Sequence, residues 1–600
     1  MSNKAPKKKS GSFGRSLFGR LFGGKRELSI FEEEQMQSPF RTVIRNFRSN
    51  KVAMFGTIVF LIIFLSCFIL PIFFPLDVTY TDSSQQNIAP GFSMLSVPDE
   101  LKNGNAVDIA GGGTFGIGAD KNGEVYLWGQ MDDRLKEIPE NMGKIVSVSA
   151  GLNHVLALDE DGQVYTWGYN RLRLDKIPLE MEGVTNIKDI VAGYQISFAL
   201  TDDGYLYHWG NENLIEISPD AYQGHIEKIA PNATTAIALL DDGTVVCLAT
   251  KDNAFQRIPE EIQGKVIDIA STDRTAAALT EDGQVYVWGS SDYGVFDVPE
   301  ELQGQCTAIA AGRYHFTAIG EDKKVYAWGR NNFGQTDISA ENVVSISNGY
   351  FQSYAVTEDG TVVTAGLKGY LMGTDGFGRD IFTRLVSGGR MTMTIGAIAV
   401  IISVIIGVII GGFSGYYGGK VDNILMRFAE IVASIPFLPF AMILSAIVGN
   451  SLSEIQRIAV IMVILGVLSW PSLARLVRAQ ILAEREKEFV TAAKAMGIKE
   501  IAIIFKHILP NVITVVIVDT TLAFASCMLT ESSLSFLGFG VIEPTPTWGN
   551  MLNGSQASTV IQNYWWRWVF PSLALSLSTI SINLIGDGLR DAIDPRSNDR

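Results

Sequence analysis

Two patterns of hydrophobic residues occupy this chain, and they do not overlap. The first is continuous. Uncharged apolar runs such as 395–412 are of the length that crosses a bilayer, which takes about 20 apolar residues. Six membrane helices are expected, at about 52–74, 391–414, 424–448, 456–479, 512–530 and 569–587. The second pattern is short and repeated. Val125-Tyr126-Leu127-Trp128-Gly129 returns as Val164-Tyr165-Thr166-Trp167-Gly168, Leu206-Tyr207-His208-Trp209-Gly210, Val285-Tyr286-Val287-Trp288-Gly289 and Val325-Tyr326-Ala327-Trp328-Gly329. Weaker copies at 245–249 and 362–366 bring the total to seven units, with a period of about 40 residues that signals a propeller or solenoid.

Within a unit, an Asp-Gly pair such as Asp161-Gly162 or Asp282-Gly283 joins two β-rich runs, which predicts a hairpin. A small-residue element such as Ala150-Gly151 stands upstream, and Ile-Pro-Glu or Val-Pro-Glu separates several units. Strands and tight turns at this period suit blades around an axis. Val97-Pro98-Asp99-Glu100 precedes the first unit and matches the separating element, whereas the last unit has none after it. An N-terminal strand is therefore expected to complete the last blade and close the ring. Closure brings the two ends of the domain together, as insertion into a loop requires.

Charge separates the same two populations. Residues 77–372 carry about −24 and the remainder about +9. Basic residues cluster after the fourth expected span (Arg475, Arg478, Arg485, Lys487, Lys494, Lys499, Lys506), and Arg590 and Arg596 follow the last. The loop at 449–454 has none. Positive loops stay cytoplasmic, so both termini are expected inside and the acidic insert outside. Residues 1–50 form a basic tail, read first as a flexible solubilising segment and second as a stretch lying on anionic lipid. The first span is expected to be a retained anchor, because about 50 polar residues precede it where a signal peptide has a short basic region. Cys67, Cys247, Cys306 and Cys527 are scattered and suggest neither a metal site nor a disulfide framework.

Between the fourth and fifth spans lies Glu488-Phe489-Val490-Thr491-Ala492-Ala493-Lys494-Ala495-Met496-Gly497-Ile498, then His507-Ile508-Leu509-Pro510-Asn511. Residues 484–496 read as a short amphipathic helix, Gly497 as a sharp turn and 501–508 as a second helix. Pro510 then opens the next span, where its missing N–H costs little. Ala492, Ala493, Gly497, Leu509 and Pro510 resemble the coupling loop of ABC importer permeases. Thr491 and His507 depart from the broad superfamily pattern and agree with the peptide and nickel branch. Gly373-Thr374-Asp375-Gly376-Phe377-Gly378-Arg379-Asp380, Glu531-Ser532-Ser533-Leu534-Ser535-Phe536-Leu537-Gly538 and Gly586-Asp587-Gly588-Leu589-Arg590-Asp591 extend that resemblance to the second permease subunit of dipeptide and oligopeptide importers. The repeat resembles that of the regulator of chromosome condensation.

The resemblance implies a multi-domain chain: a six-span all-α permease with an extracytoplasmic all-β seven-bladed propeller between spans 1 and 2. The boundaries expected are 1–50 for the tail, 51–76 for the first span, 92–367 for the propeller and 371–597 for the permease core, with its coupling loop at 480–510. It further implies import of a peptide-like solute, and a second permease chain, two ATP-hydrolysing subunits and an external solute-binding protein as partners. No cofactor, metal or nucleic acid is expected, and no enzyme chemistry, since no nucleophile–base pair or metal cluster stands out. The other function class is a surface receptor or adhesion protein displaying a propeller on a permease-like scaffold.

Two phosphate-loop look-alikes fail on context. Gly19-Arg20-Leu21-Phe22-Gly23-Gly24-Lys25-Arg26 ends in Arg where Ser or Thr belongs, and Gly111-Gly112-Gly113-Thr114-Phe115-Gly116 runs into a strand rather than a helix. His154 and His315 fall at one repeat position, which Phe115, Ile196, Thr235, Thr275 and Gln352 fill elsewhere, so they read as framework rather than metal ligands. Glu430 and Asp519 lie within expected spans. Intramembrane acids are costly and often face a pathway, although Asp519 also suits a helix interface.

Overall fold

The computed structural model describes residues 39–211, 217–448 and 452–593. The phosphate-loop look-alike at 19–26, most of the basic tail, Arg596 and the start of the loop at 449–454 lie outside them. The chain forms two compact units. One takes in the described residues up to Ser66, Thr392–Leu534 and the described residues from Ala574 onward. The other takes in Cys67–Met391 and Ser535–Leu573.

The second unit holds the repeats. Each becomes one three-stranded antiparallel sheet of consecutive strands, seven in all among the described residues. The second sheet is typical: Ile145–Ala150, His154–Asp159 and Val164–Gly168, with Val155 opposite Trp167. Its middle strand is buried throughout, as are the middle strands of the six other sheets apart from single residues at most. That is why these strands read as continuous apolar runs rather than alternating ones. The Asp-Gly pairs make the expected hairpin turns. Gly162 takes φ +79°, where an added Cβ would sit 1.9 Å from the Thr185 carbonyl oxygen.

Trp167, Trp288 and Trp328 each donate an indole N–H to the carbonyl of a connector residue, Leu135, Phe255 and Val295. Every first strand carries a register shift near its start. Two of these shifts, at Asp108 and Asp268, aim an aspartate at the next sheet. Asp108 accepts from the Ser147 hydroxyl and the Val148 N–H of the next sheet, both at 2.9 Å. Burial raises its pKa against those bonds.

The expected N-terminal strand in the last blade is not formed. The seventh sheet is Val343–Asn348, Gln352–Thr357 and Val362–Gly366 alone. Val97 instead packs with Leu101, Ile109 and Trp128 of the first repeat and with Tyr354 of the seventh. Gly104 N–H donates to Gly360 O at 3.0 Å, the bond that Gly264 makes to Gly243 and Gly304 to Gly283 between consecutive sheets. The first sheet thus meets the seventh as other neighbours meet, by packing rather than by strand exchange.

The first unit is helical. Across the described residues, five helices are long and apolar enough to cross a membrane: Lys51–Phe73, Ile381–Tyr417, Glu454–Glu484, Glu500–Phe536 and Trp566–Ile593. The span expected at 424–448 is not one straight helix. Gly419–Ser434 and Phe437–Leu444 meet at 77°, and counting the pair as one span brings the total to six. The bend follows from Pro436, which disfavours helical backbone at the preceding residue. Ile435 is extended accordingly, with φ −71° and ψ 122°.

Candidate coupling segment, junction motif and membrane cavity

The segment after the fourth long helix folds as a helix over Glu488–Ala495, shorter than the expected 484–496 because Glu484 still belongs to the preceding helix. Val490 and Ala493 are buried with Ile481, Ile503, Ile504 and Ile508. Glu488, Thr491, Ala492, Lys494 and Met496 face outward, and Ile498 is half-buried. Gly497 turns the chain at φ +73°, and nothing lies within 4 Å of a Cβ built there. Its requirement is therefore conformational and not steric. The second expected helix, 501–508, does not stop before Pro510. One α-turn and a π-turn over Ile503–Ile508 run into Leu509–Phe536. Pro510 has no N–H, and its ring crowds the carbonyl four residues back in a regular helix, so the wider turn admits it. The outcome is a knob anchored by two buried side chains. It leaves Phe489, Met496 and Ile501 uncovered, Met496 at 71% exposure. The sequence reading counted Arg478 only in the basic cluster and did not single out Asp422. They form a two-point ion pair that ties Gly419–Ser434 to Glu454–Glu484.

The motif Gly373–Asp380 lies in the other unit and is built on the two chain segments that enter and leave the repeats. Thr374 is fully buried, donates to Gln85 O at 2.5 Å and accepts from Ile88 N–H at 2.8 Å. Gly378 has φ +76°, and a Cβ there would lie 2.0 Å from Asp82 O. Asp375 accepts from the Phe377 and Arg379 N–H groups and from the Arg379 guanidinium. Asp380 caps the helix Ile381–Tyr417 by accepting from Phe382 and Thr383 N–H. Arg379 reaches Glu543 at 2.6 Å, and Arg384 reaches the same carboxylate at 2.8 Å while only 1% exposed. Burial works against the charge of Arg379, but its bonds to Glu543 and Asp375 hold its pKa above the usual value. Arg384 and Glu543 were not singled out in the sequence. The available signal was an arginine four residues beyond Asp380, inside a largely apolar helix.

The same entry segment reaches the repeats. Arg313, on the sixth repeat, binds both Asp82 oxygens at 2.7 and 2.8 Å and Asp273 at 2.9 Å. Arg313 also lines one end of a cavity of about 320 Å³, framed by small residues of the first strands such as Ala110, Ser149 and Ala310.

His154 and His315 do not share a site. Each begins a middle strand, with its ring over Gly151 or Gly312, and engages a serine of the neighbouring sheet, Ser197 at 3.1 Å and Ser353 at 2.9 Å. The residues at the equivalent positions of the other five repeats are all buried. Burial lowers both histidine pKa values to about 4.

The two intramembrane acids part company. Glu430 is on an outward face and pairs with Arg427 at 2.8 Å. Asp519 lines a cavity of about 300 Å³ between Ile381–Tyr417, Glu454–Glu484 and Leu509–Phe536, and makes no hydrogen bond or ion pair among the described residues.

Comparison with known proteins agrees with this layout. A family model described as the inner membrane component of binding-protein-dependent transport systems matches residues 403–599. The N-terminal TM domain of oligopeptide transport permease C matches 38–90. The regulator of chromosome condensation repeat matches 145–172, 187–214, 266–295 and 306–335. The oligopeptide transport system permease protein OppC of Escherichia coli is 43% identical over 229 residues, 38% of this chain and 73% of that protein. OppC of Haemophilus influenzae is 43% identical over 231 residues, 38% of this chain and 72% of that protein. The dipeptide transport system permease protein DppC of Alkalihalophilus pseudofirmus is 39% identical over 244 residues, 41% of this chain and 78% of that protein. The chain belongs to the family of binding-protein-dependent transport permeases, multi-pass membrane proteins that are transport components. It is a permease of the oligopeptide and dipeptide type, carrying an inserted domain of chromosome-condensation-regulator repeats.

Proposed function

We propose that this chain is the six-span permease subunit of an ATP-driven peptide importer, with both termini in the cytoplasm. Residues 371–597 form its core with the first span at 51–76, and the repeats at 92–367 are a closed seven-bladed propeller outside the cell. A second permease chain and two ATP-hydrolysing subunits complete the machine, and an external binding protein delivers the solute. The observation that carries the reading is the coupling segment. Buried Val490 and Ala493 hold a helix–Gly–helix knob whose apolar tip stays uncovered among the described residues, and uncovered apolar groups mark interaction sites. The test is the pair Ala492→Arg and Met496→Glu in the reconstituted complex. Membrane insertion stays normal, while the ATPase subunits dissociate or hydrolyse ATP without uptake. Normal uptake by both variants sinks the proposal.

The propeller positions the external binding protein or covers the entrance between cycles. In support, it does not hang on a loose tether: its Arg313 binds Asp82 of the entering segment, and that segment is held to the leaving one by the Thr374–Gln85 bond. Replacing 92–367 by a short polar linker leaves an inserted permease with impaired uptake or altered dependence on its binding protein. Unchanged uptake removes the propeller from transport.

A further inference from the structure

We infer that the Asp519 cavity is a site for the ammonium group of the solute, as a peptide presents at its N-terminus. This rests on the pathway reading of Asp519 and goes further by naming what the pathway recognises. The cavity of about 300 Å³ lies among three long helices, and no Lys, Arg or His lines it. Its one charged residue, Asp519, has no hydrogen-bond or ion-pair partner among the described residues. A carboxylate at membrane depth costs about 2.5–3.5 kcal/mol by insertion scales and is ordinarily matched by an opposite charge.

The neighbouring hydroxyls point to the same chemistry. Ser469 donates to Leu465 O at 2.6 Å, Thr520 to Val516 O at 2.6 Å and Thr530 to Ser526 O at 2.7 Å. A hydroxyl has one proton to give. With each proton committed to its own helix, these oxygens are left as acceptors. Ser403, Ser472 and Ser526 line the cavity too, with hydroxyls that can give or take a proton, so the feature left unmatched is the one carboxylate. An ammonium brings three donors and a positive charge to it, whereas a carboxylate would be repelled by Asp519 and an acetylated terminus brings it no charge.

The test uses the full complex without its binding protein. Two photoreactive tripeptides are offered at millimolar concentration, one with a free N-terminus and one N-acetylated, and labelling is mapped to 512–536. The free peptide is expected to label this stretch about ten-fold more than the acetylated one, the scale of one charge-assisted hydrogen bond. Asp519→Asn erases the preference and Asp519→Glu keeps part of it. Equal labelling by the two peptides, or none, overturns the site. So does loss of the second permease chain from Asp519→Asn, which assigns the carboxylate to a subunit contact. Uptake from loaded binding protein is measured alongside. Normal wild-type uptake with unselective labelling removes only the ammonium site, and absent uptake removes the importer reading itself.

Discussion

The repeats and the membrane helices solve opposite problems with one chain. In the repeats, apolar strands are enclosed and polar groups hold neighbouring sheets together, as with His154–Ser197 and Asp108–Ser147. In the helical unit the large apolar residues face out, with Ile424 70% and Ile455 80% exposed, while Ser403 and Ser414 are buried. The difference is the solvent each was built for. Water rewards apolar burial, and a bilayer does not, so polar groups and small residues set the helix contacts instead. The coupling segment breaks the membrane pattern at its edge, because an uncovered Met496 beyond the spans has neither lipid nor core.

The junction between the repeats and the permease sequence should show the largest loss. Arg384→Met leaves the buried side of Glu543 without one of its two guanidinium partners. Removing one partner of a buried pair costs about 3–5 kcal/mol, and Glu543, which is 36% exposed and keeps its pair with Arg379, sets this case at the lower end. Reduced yield of folded chain and early proteolysis near 543 are the expected readings, and unchanged thermal stability in detergent contradicts the network.

The repeats should be more sensitive to acid than the junction. His154 and His315 are buried and neutral, with pKa about 4 against an ordinary 6.5. The unfolded chain binds the extra protons between those values. Stability is therefore complete above pH 6.5 and falls progressively toward pH 4, by about 3 kcal/mol for each histidine. Since the seventh repeat places a glutamine at this position, His154→Gln should flatten its share of the loss. Hydrogen exchange of the second and third sheets at pH 7 and pH 4.5 measures it.

Two glycines of similar φ separate steric from conformational demand. Gly378→Ala forces a Cβ toward Asp82 O and should destabilise the junction by at least about 2 kcal/mol, read as exposure of 80–90 to protease. Gly497→Ala meets open space and should cost about 1 kcal/mol of backbone strain. Gly497→Val strains the turn further, because a branched side chain tolerates positive φ poorly. Its signature should be lost uptake at normal expression, and normal uptake counts against the coupling role.

Sequence periodicity located both regions because each period reports a local geometry. Seven Trp-Gly or related strands became seven sheets, and the apolar runs became long helices. The coupling helix and the Gly497 turn were readable because their cues are adjacent residues. The π-turn before Pro510 and the 77° bend at Ile435 were not, although each has a proline cause. Proline forbids the regular conformation without fixing its replacement, and packing selects that. An added strand in the last blade was inferred from an apparently missing element, and the seventh sheet has none. Val97 fits between the first and seventh repeats without one.

The sequence by itself determined the two solvents, the repeat number, the family and the helix and Gly497 turn at 488–497, since these rest on composition and short spacing. Only the tertiary structure decided that Arg384 and Arg379 share Glu543, that Asp82 reaches Arg313, and that Asp519 but not Glu430 lines a cavity. Such pairs lie up to 231 residues apart in the chain. A charge on an isolated helix carries no mark of the partner that folding will bring to it.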